Sequence, residues 1–274
     1  MSLIEVAHEV LQILNAGHYS APSGRQVAIT AAQAAAEAGT RLYTPAELNA
    51  LLAEAPRPAA APPPTIRVTD ETTQVAAHRM AAEGPIAVLN FASARNPGGG
   101  FLGGARAQEE DVCRCSGLYP TLAPQTAYYQ ANRAQASLIY TDHLIWSPEV
   151  PFFRVALPAL LEVPFLASVL TAPAPNAGEA LQRDAAAGPQ IEATLRRRVG
   201  QVLAVAAAQG VRRLVLGAWG CGVFRNDPVV AADAFAQWLA HPRFAGAFDE
   251  ITFAVYDPRP PRANLAAFRA RFES

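Results

Sequence analysis

Hydrophobic residues in the first part of the chain recur at helical spacing. The segment "LIEVAHEVLQIL" places five apolar side chains on one helical face: Leu3, Val6, Val10, Ile13 and Leu14. The segment "TPAELNALLAEA" predicts a second helix, with Thr44 as N-cap and Pro45 at the first helical position. The proline-rich residues 56–64 then interrupt regular structure. They fit a linker between domains or a surface connection, and we favour the connection.

After residue 64 the pattern alternates between short apolar segments and longer amphipathic ones. The first kind predicts strands at "TIRV", "IAVLNF", "FLASVLTA", "RRLVLG" and "EITFAVYD". The second kind predicts helices over residues 72–82, 108–118, 190–209, 228–240 and 261–272. This alternation predicts a three-layer α/β/α fold with a mostly parallel mixed sheet over residues 65–274, preceded by an N-terminal helical accessory region, residues 1–64, packed on it.

Composition narrows the class of protein. With 22 basic and 23 acidic residues among 274, the chain lacks the basic excess that binds nucleic acids by their phosphates. No apolar stretch approaches the length of a membrane span, and the start "MSLIEVAHEVLQ" is acidic where a secretion signal is basic. We therefore expect a cytoplasmic protein that binds neither membrane nor nucleic acid directly.

The reactive residue types exclude several kinds of chemistry. The three cysteines form neither a disulfide framework nor a zinc-binding pattern. The chain contains no lysine, which excludes a P-loop and any Schiff-base mechanism. We expect no metal ion and no cofactor.

Two glycine-rich loops follow predicted strands. The first glycine loop, "NPGGGFLGG" (residues 96–104), leaves "IAVLNF", and the second, "GAWGCGVFRNDP" (residues 217–228), leaves "RRLVLG". Both are predicted at the carboxyl edge of the sheet, where ligands bind in such folds. Backbone N–H groups beside Gly217, Gly220 and Gly222 are suited to surround a diphosphate. Two tight turns are the structural alternative for these glycines.

The amino-acid sequences of these loops resemble those of the poly(ADP-ribose) glycohydrolases. "GGG" (residues 98–100) followed by "QEE" (residues 108–110) is similar to that family's signature, and "WGCGVF" (residues 219–224) resembles its diphosphate loop. The longer stretch "VLNFASARNPGGGFLGGARAQEEDVCRCSGLY" resembles the bacterial-type branch, and the likeness covers most of the chain, including the N-terminal helices. The resemblance implies a macrodomain that cleaves ribose–ribose bonds of poly(ADP-ribose), with ADP-ribose and ADP-ribosylated proteins as partners and a role in the DNA damage response.

Cleavage of a glycosidic bond needs a carboxylic acid for the departing oxygen and a base for water. Consecutive residues of a helix point about 100° apart, so Glu109 and Glu110 cannot perform the same task. The resemblance implies that Glu110 is the acid that then serves as base, and that Glu109 binds the ribose. Without a ligand site, three acidic residues in a row would simply complement the dipole of a helix N-terminus.

The predicted ligand contacts lie in the two loops and at the helix start. They are Asn96, Gly98, Gly99, Gly100, Gln108, Gly217, Gly220, Cys221, Gly222, Val223 and Phe224. The spacing around Asn96 also permits Ser93 as the ribose contact, or a simple turn. We favour a ligand contact for Phe224 and a structural role for Trp219.

Two other functions share the predicted fold. One is a module that binds ADP-ribose without cleaving it, since one fold can host readers and hydrolases. The other is a hydrolase of single ADP-ribose units attached to protein. Glu110 argues against the first and the "QEE" motif against the second. The sequence leaves open whether cleavage proceeds from chain ends only, which residues contact adenine, and the oligomeric state.

Overall fold

A computed structural model describes residues 1–54 and 62–273. The proline-rich connection predicted at residues 56–64 lies mostly outside the described residues. The strands are β1 (His18–Ser20), β2 (Gln26–Ala28), β3 (Arg41–Tyr43), β4 (Thr65–Thr69), β5 (Ala87–Phe91), β6 (Leu144–Phe152), β7 (Phe165–Ala172), β8 (Arg213–Leu216) and β9 (Glu250–Ala254). The helices are α1 (Leu3–Ala16), α2 (Thr30–Gly39), α3 (Pro45–Ala53), α4 (Thr73–Ala81), α5 (Gln108–Cys115), α6 (Leu118–Leu122), α7 (Thr126–Arg133), α8 (Ala177–Arg183), α9 (Gly188–Ala208), α10 (Pro228–Leu239) and α11 (Ala263–Phe272).

Seven strands form one mixed sheet in the order β3-β6-β7-β5-β8-β9-β4. The five strands from β7 to β4 are parallel, whereas β6 runs antiparallel to both of its neighbours. The predicted sheet, mixed and mostly parallel, is therefore confirmed. Because β5 and β8 are adjacent and parallel, the loops that follow them leave the sheet side by side at its carboxyl edge.

The sheet separates two hydrophobic layers. In β5, Ala87 and Leu89 pack toward the layer of α9, α10 and α11, while Val88 packs toward α4 and α5 on the other face. The long helix α9 buries its predicted face, including Leu195, Val199 and Val202. These contacts confirm the three-layer α/β/α architecture. Among the described residues, no helix is both long enough and apolar enough to cross a bilayer.

The N-terminal region contains more than the two predicted helices. Thr44 caps α3 as expected, and its hydroxyl accepts a hydrogen bond from Glu47 N at 3.4 Å. Between α1 and α3 lie the hairpin β1-β2, helix α2 and strand β3, which pairs with β6 and forms an edge of the main sheet. The region thus contributes one strand, β3, to the main sheet in addition to its helices. The domain boundary at residue 64 stays a prediction.

Candidate active site

Glu109 and Glu110 begin helix α5 and turn into the protein. Their residue surfaces are only 2% and 9% exposed. Glu109 accepts hydrogen bonds from Ser93 N at 2.7 Å and Asn90 Nδ2 at 3.2 Å. Glu110 accepts one from Gly100 N at 2.9 Å. The two carboxyl groups therefore contact different partners, as their spacing on a helix requires.

Gln108 fastens the start of α5 to strand β5. Its Oε1 accepts a hydrogen bond from Phe91 N at 2.8 Å, and its Nε2 donates to Leu89 O at 2.8 Å and to Thr73 Oγ1 at 3.1 Å. The sequence predicted a ligand contact for Gln108, but here its amide contacts the protein itself. Its place in the motif is explained by the need to hold the two glutamates at the strand end.

The first glycine loop folds closely over the two carboxyl groups. Gly98 and Gly99 have φ of +67° and +60°, which side chains disfavour. A Cβ atom on Gly99 would lie 2.3 Å from Glu110 Oε1 and 3.1 Å from Glu109 Oε2. A Cβ atom on Gly100 would lie 2.9 Å from Ala105 Cβ. The glycines thus allow the loop to approach the glutamates, a reason beyond the ligand contact and the tight turn that the sequence suggested.

Arg114 holds the other end of this loop. Its fully buried guanidinium donates to Phe101 O at 3.1 Å and to Ala105 O at 2.6 Å, and it forms an ion pair with Asp111 at 3.2 Å. These contacts satisfy the two terminal nitrogens, whereas the buried Nε has no hydrogen-bond partner among the described residues. Arg114 therefore ties the loop to the helix that carries both glutamates. The sequence signal was a single arginine between two buried cysteines in "VCRC", and it was missed.

Asn90 is a second residue that sequence reasoning missed. It lies inside β5, is fully buried, and donates to Glu109 Oε1 and to Thr171 Oγ1, both at 3.2 Å. Its Oδ1 atom has no hydrogen-bond partner among the described residues. The detectable signal was one polar side chain in the apolar run "IAVLNF", because a buried amide requires partners.

Burial raises the pKa of the Glu109 carboxyl from its ordinary 4.5 to about 8. Hydrogen bonds from Ser93 and Asn90 favour the ionised form, and desolvation outweighs them. Glu109 is therefore largely protonated near neutral pH, although it lies in the first turn of a helix, where the dipole favours negative charge. A neutral Glu109 adds no negative charge beside Glu110.

The raised pKa of Glu109 predicts a pH-dependent stability. Between pH 4.5 and 8 the unfolded carboxyl is ionised while the folded one keeps its proton, so the free energy of unfolding should fall as pH rises through this window. Glu109→Gln removes the titration. We expect denaturant unfolding to show that the free energy of unfolding of the variant, relative to that of the wild type, rises by a few kcal/mol between pH 5 and pH 8. Parallel pH curves for the two proteins would show that Glu109 is ionised when folded.

The glycines of the second loop differ in role. A Cβ atom on Gly217 would lie 2.6 Å from Ala254 O, and one on Gly220, whose φ is +77°, would lie 2.5 Å from Ala174 Cβ. Both positions thus serve packing. A Cβ atom on Gly222 would meet nothing within 4 Å, and the neighbouring Val223 is 76% exposed. Gly222 and Val223 therefore face open space beside the strand ends, as ligand contacts must.

The remaining predicted contacts occupy varied environments. Trp219 is fully buried and its indole N–H donates to Ala172 O at 3.3 Å, a structural role. Phe224 is half-buried, with its ring centroid 6.0 Å from that of Tyr140. Cys221 is half-buried, and desolvation raises the pKa of its thiol to about 12. Asn96 is exposed in the first loop, where its carbonyl accepts from Gly99 N at 3.0 Å.

Gly222→Val tests the second loop as a ligand contact. Because a side chain here meets no protein atom and φ is not positive, the fold should be retained. A branched side chain would keep a diphosphate from the backbone, so we expect calorimetric affinity for ADP-ribose to fall at least tenfold, about 1.4 kcal/mol. Gly188→Val, at the open first position of α9, is the matched control and should bind normally. If Gly222→Val bound ADP-ribose with unchanged affinity, the second loop would be a turn and not a ligand contact.

Among residues 1–54 and 62–273, no three His, Cys, Asp or Glu side chains are grouped to hold a metal ion. The site is instead a pair of buried carboxyl groups beneath the first glycine loop, and the second glycine loop leaves the adjacent strand β8. This arrangement combines an acid-base group with backbone donors for a phosphate-containing ligand. The arrangement is suited to cleaving a glycosidic bond in a nucleotide sugar.

The comparison with known proteins agrees with this geometry. The family model of the catalytic domain of microbial-type poly(ADP-ribose) glycohydrolase (PARG) matches residues 7–155, more than half of the chain. The PARG of Thermomonospora curvata is 47% identical over 98% of this chain and 99% of its own, with a TM-score of 0.94. The same enzyme bound to the inhibitor ADP-HPD is 46% identical over the same shares, with a TM-score of 0.92.

A Deinococcus radiodurans PARG in complex with ADP-ribose is 50% identical over 88% of this chain and 97% of its own, with a TM-score of 0.83. No curated protein sequence matches the chain significantly. The family model and these similarities suffice to assign the family. The chain belongs to the microbial-type poly(ADP-ribose) glycohydrolases.

Proposed function

We infer that the protein hydrolyses the ribose–ribose bonds of poly(ADP-ribose) and releases ADP-ribose. The observation that carries this inference is the pair of buried glutamates, Glu109 and Glu110, beneath a loop whose Gly99 has no room for a side chain. Support comes from the bacterial PARG relatives, one bound to ADP-ribose and one to the inhibitor ADP-HPD.

Glu110 is assigned as the acid and then the base. In the first step its carboxylic acid gives a proton to the oxygen that leaves as the bond to C1″ of the terminal ribose breaks, and the ribose becomes oxocarbenium-like. The diphosphate of the bound unit stabilises the positive charge. In the second step the Glu110 carboxylate takes a proton from water as the water oxygen bonds to C1″. The shortened polymer keeps a hydroxyl group, and ADP-ribose is the product.

Glu109 is assigned to position the terminal ribose. Its carboxyl is held by Ser93 and Asn90 and is largely protonated near neutral pH, because burial raises its pKa to about 8. A protonated carboxyl both donates and accepts hydrogen bonds, which suits a pair of ribose hydroxyls. Asn90 and Gln108 act through Glu109 and helix α5 and are positioning residues.

Substrates of different length separate the three candidate functions. The protein is incubated with acceptor protein that carries long polymer and with acceptor that carries single ADP-ribose units, and the released products are identified by mass spectrometry. We expect ADP-ribose from the polymer, with the protein-linked unit left in place. Release of single units alone would identify a mono-ADP-ribosyl hydrolase, and tight binding without release would identify a reader.

The cellular setting is part of the proposal. The three cysteines are free thiols, two of them buried, as is usual in a reducing compartment. We assign the protein to the cytoplasm, with polymer-modified proteins as its substrate source and polymer removal after DNA damage as its role. Fractionation of cells, with polymer levels followed after damage in a deletion strain, tests this assignment.

A further inference from the structure

Three arginines surround the first glycine loop without a carboxylate partner. Arg95, Arg106 and Arg133 are all exposed, and none forms an ion pair with another of the described residues. Most other arginines of the described ranges do form such pairs, including Arg212 with Asp249 at 2.6 Å. Because the chain as a whole carries a net charge of only −1, a general excess of basic residues does not explain these three, and the nearby Asp111 is already paired with Arg114.

Arg95 and Arg106 lie in the chain on either side of the first glycine loop, and Arg133 is hydrogen-bonded to one of them. The N–H of Arg95 donates to Ser93 Oγ at 3.2 Å, and Ser93 N donates to Glu109. Arg133, at the end of α7, donates to the carbonyl of Arg95. Arg106 follows Ala105, whose carbonyl is held by Arg114. The three arginines are therefore linked, by chain position or by a hydrogen bond, to the segment that lies over Glu109 and Glu110.

The polymer continues from this end. If the protein acts as proposed above, the terminal ADP-ribose unit occupies the two glycine loops, and the scissile bond lies at Glu110. The rest of the chain then starts at the oxygen that Glu110 protonates, next to the first glycine loop, whose Gly100 N donates to Glu110. The next unit carries a diphosphate with two negative charges, and planar guanidinium groups bind such groups through several donors at once.

We propose that Arg95, Arg106 and Arg133 form a second binding site, for the diphosphate of the ADP-ribose unit next to the scissile bond on the departing side of the polymer. This proposal rests on the proposed function and extends it. The second site makes polymer a better substrate than an ADP-ribose conjugate with an uncharged leaving group. It also gives polymer hydrolysis a steep dependence on salt, since each phosphate contact displaces counterions.

Two substrates with the same scissile position test the proposal. One is long poly(ADP-ribose), and the other is ADP-ribose joined at C1″ to an uncharged aryl alcohol, which has no neighbouring diphosphate. The triple variant R95Q/R106Q/R133Q should lose about tenfold or more in kcat/KM on polymer, about 1.4 kcal/mol. On the aryl conjugate the loss should be less than about twofold. The salt dependence on polymer should flatten in the same variant.

Two further variants separate charge from structure. R95K/R106K/R133K restores the positive charges and should recover most of the polymer activity and its salt dependence. R212Q removes an exposed arginine at the amino edge of the sheet, opposite the glycine loops, and should leave both substrates unaffected. Equal losses on polymer and aryl conjugate, or no loss on polymer, would overturn the second site. A wild type that cleaves the aryl conjugate and leaves polymer intact would overturn the proposed function instead.

Discussion

Gly99→Ala should lower turnover on poly(ADP-ribose) by about 100-fold or more while leaving the protein folded. At a φ of +60° an alanine costs about 1–2 kcal/mol. Its Cβ atom would also lie 2.3 Å from Glu110 Oε1, well inside contact distance, so the carboxyl group must move by about 1 Å. A misplacement of that size typically costs about 10²-fold in rate.

The neighbouring Gly103 provides a matched control. Its φ is not positive, and an added Cβ atom would meet nothing within 4 Å. Gly103→Ala should therefore keep nearly wild-type turnover, measured as ADP-ribose released from polymer, and circular dichroism should show both variants folded. If Gly99→Ala kept more than about a tenth of wild-type turnover, well above the activity expected to remain, the close fit between the loop and the Glu110 carboxyl would have no role in catalysis.

Glu110→Gln should lower turnover on polymer by about 10²–10⁴-fold, toward the upper end because one residue fills both proton-transfer roles. The amide keeps the size of the side chain but delivers no carboxylic proton and accepts none from water. Gly100 N can still donate to the amide oxygen, as it does to Glu110 Oε1 at 2.9 Å, so the loop should hold its position. Affinity for ADP-ribose should change far less than turnover.

Glu109→Gln is the matched comparison for this variant. The side chain differs by the same atoms and lies one position earlier in α5. Its loss should appear partly as weaker ribose binding or misaligned substrate, since Glu109 is assigned to positioning. Steady-state kinetics on polymer and calorimetry with ADP-ribose distinguish the two patterns. Identical patterns for both variants would show that the division of roles between Glu109 and Glu110 is wrong.

The parallel part of the sheet could be predicted from the sequence, but the antiparallel part could not. Strands β5, β7, β8 and β9 are short apolar runs between helical segments, and their periodicity sufficed. Strand β6 contains Pro148 and Pro151, and proline usually argues against a strand inside a sheet. The structure accommodates Pro148 at an irregularity between Ser147 and Val150, where Glu149 has a φ of +44°. Such a bulge depends on neighbours that are remote in sequence.

The site was predictable where its chemistry lies in adjacent residues. Glu109, Glu110 and the first glycine loop are close in the chain, so a motif could contain them. Arg114 and Asn90 were missed because their roles depend on the groups that they contact in the fold. Arg114 donates to two loop carbonyls, and Asn90 donates to the buried carboxyl of Glu109. Likewise, no local pattern distinguishes the open Gly222 from Gly217, which lies against Ala254. These roles exist only after the strands have been brought together.

The central claim is that the Glu110 carboxyl transfers the proton while the two glycine loops hold the terminal unit. Its most direct test is one paired measurement on Glu110→Gln: turnover of poly(ADP-ribose), followed as ADP-ribose released, and calorimetric affinity for ADP-ribose. We expect turnover to fall by about 10²-fold or more, with affinity within a few-fold of the wild type. Turnover above about a tenth of the wild-type value would contradict the claim, because general acid–base assistance of the expected size would be absent.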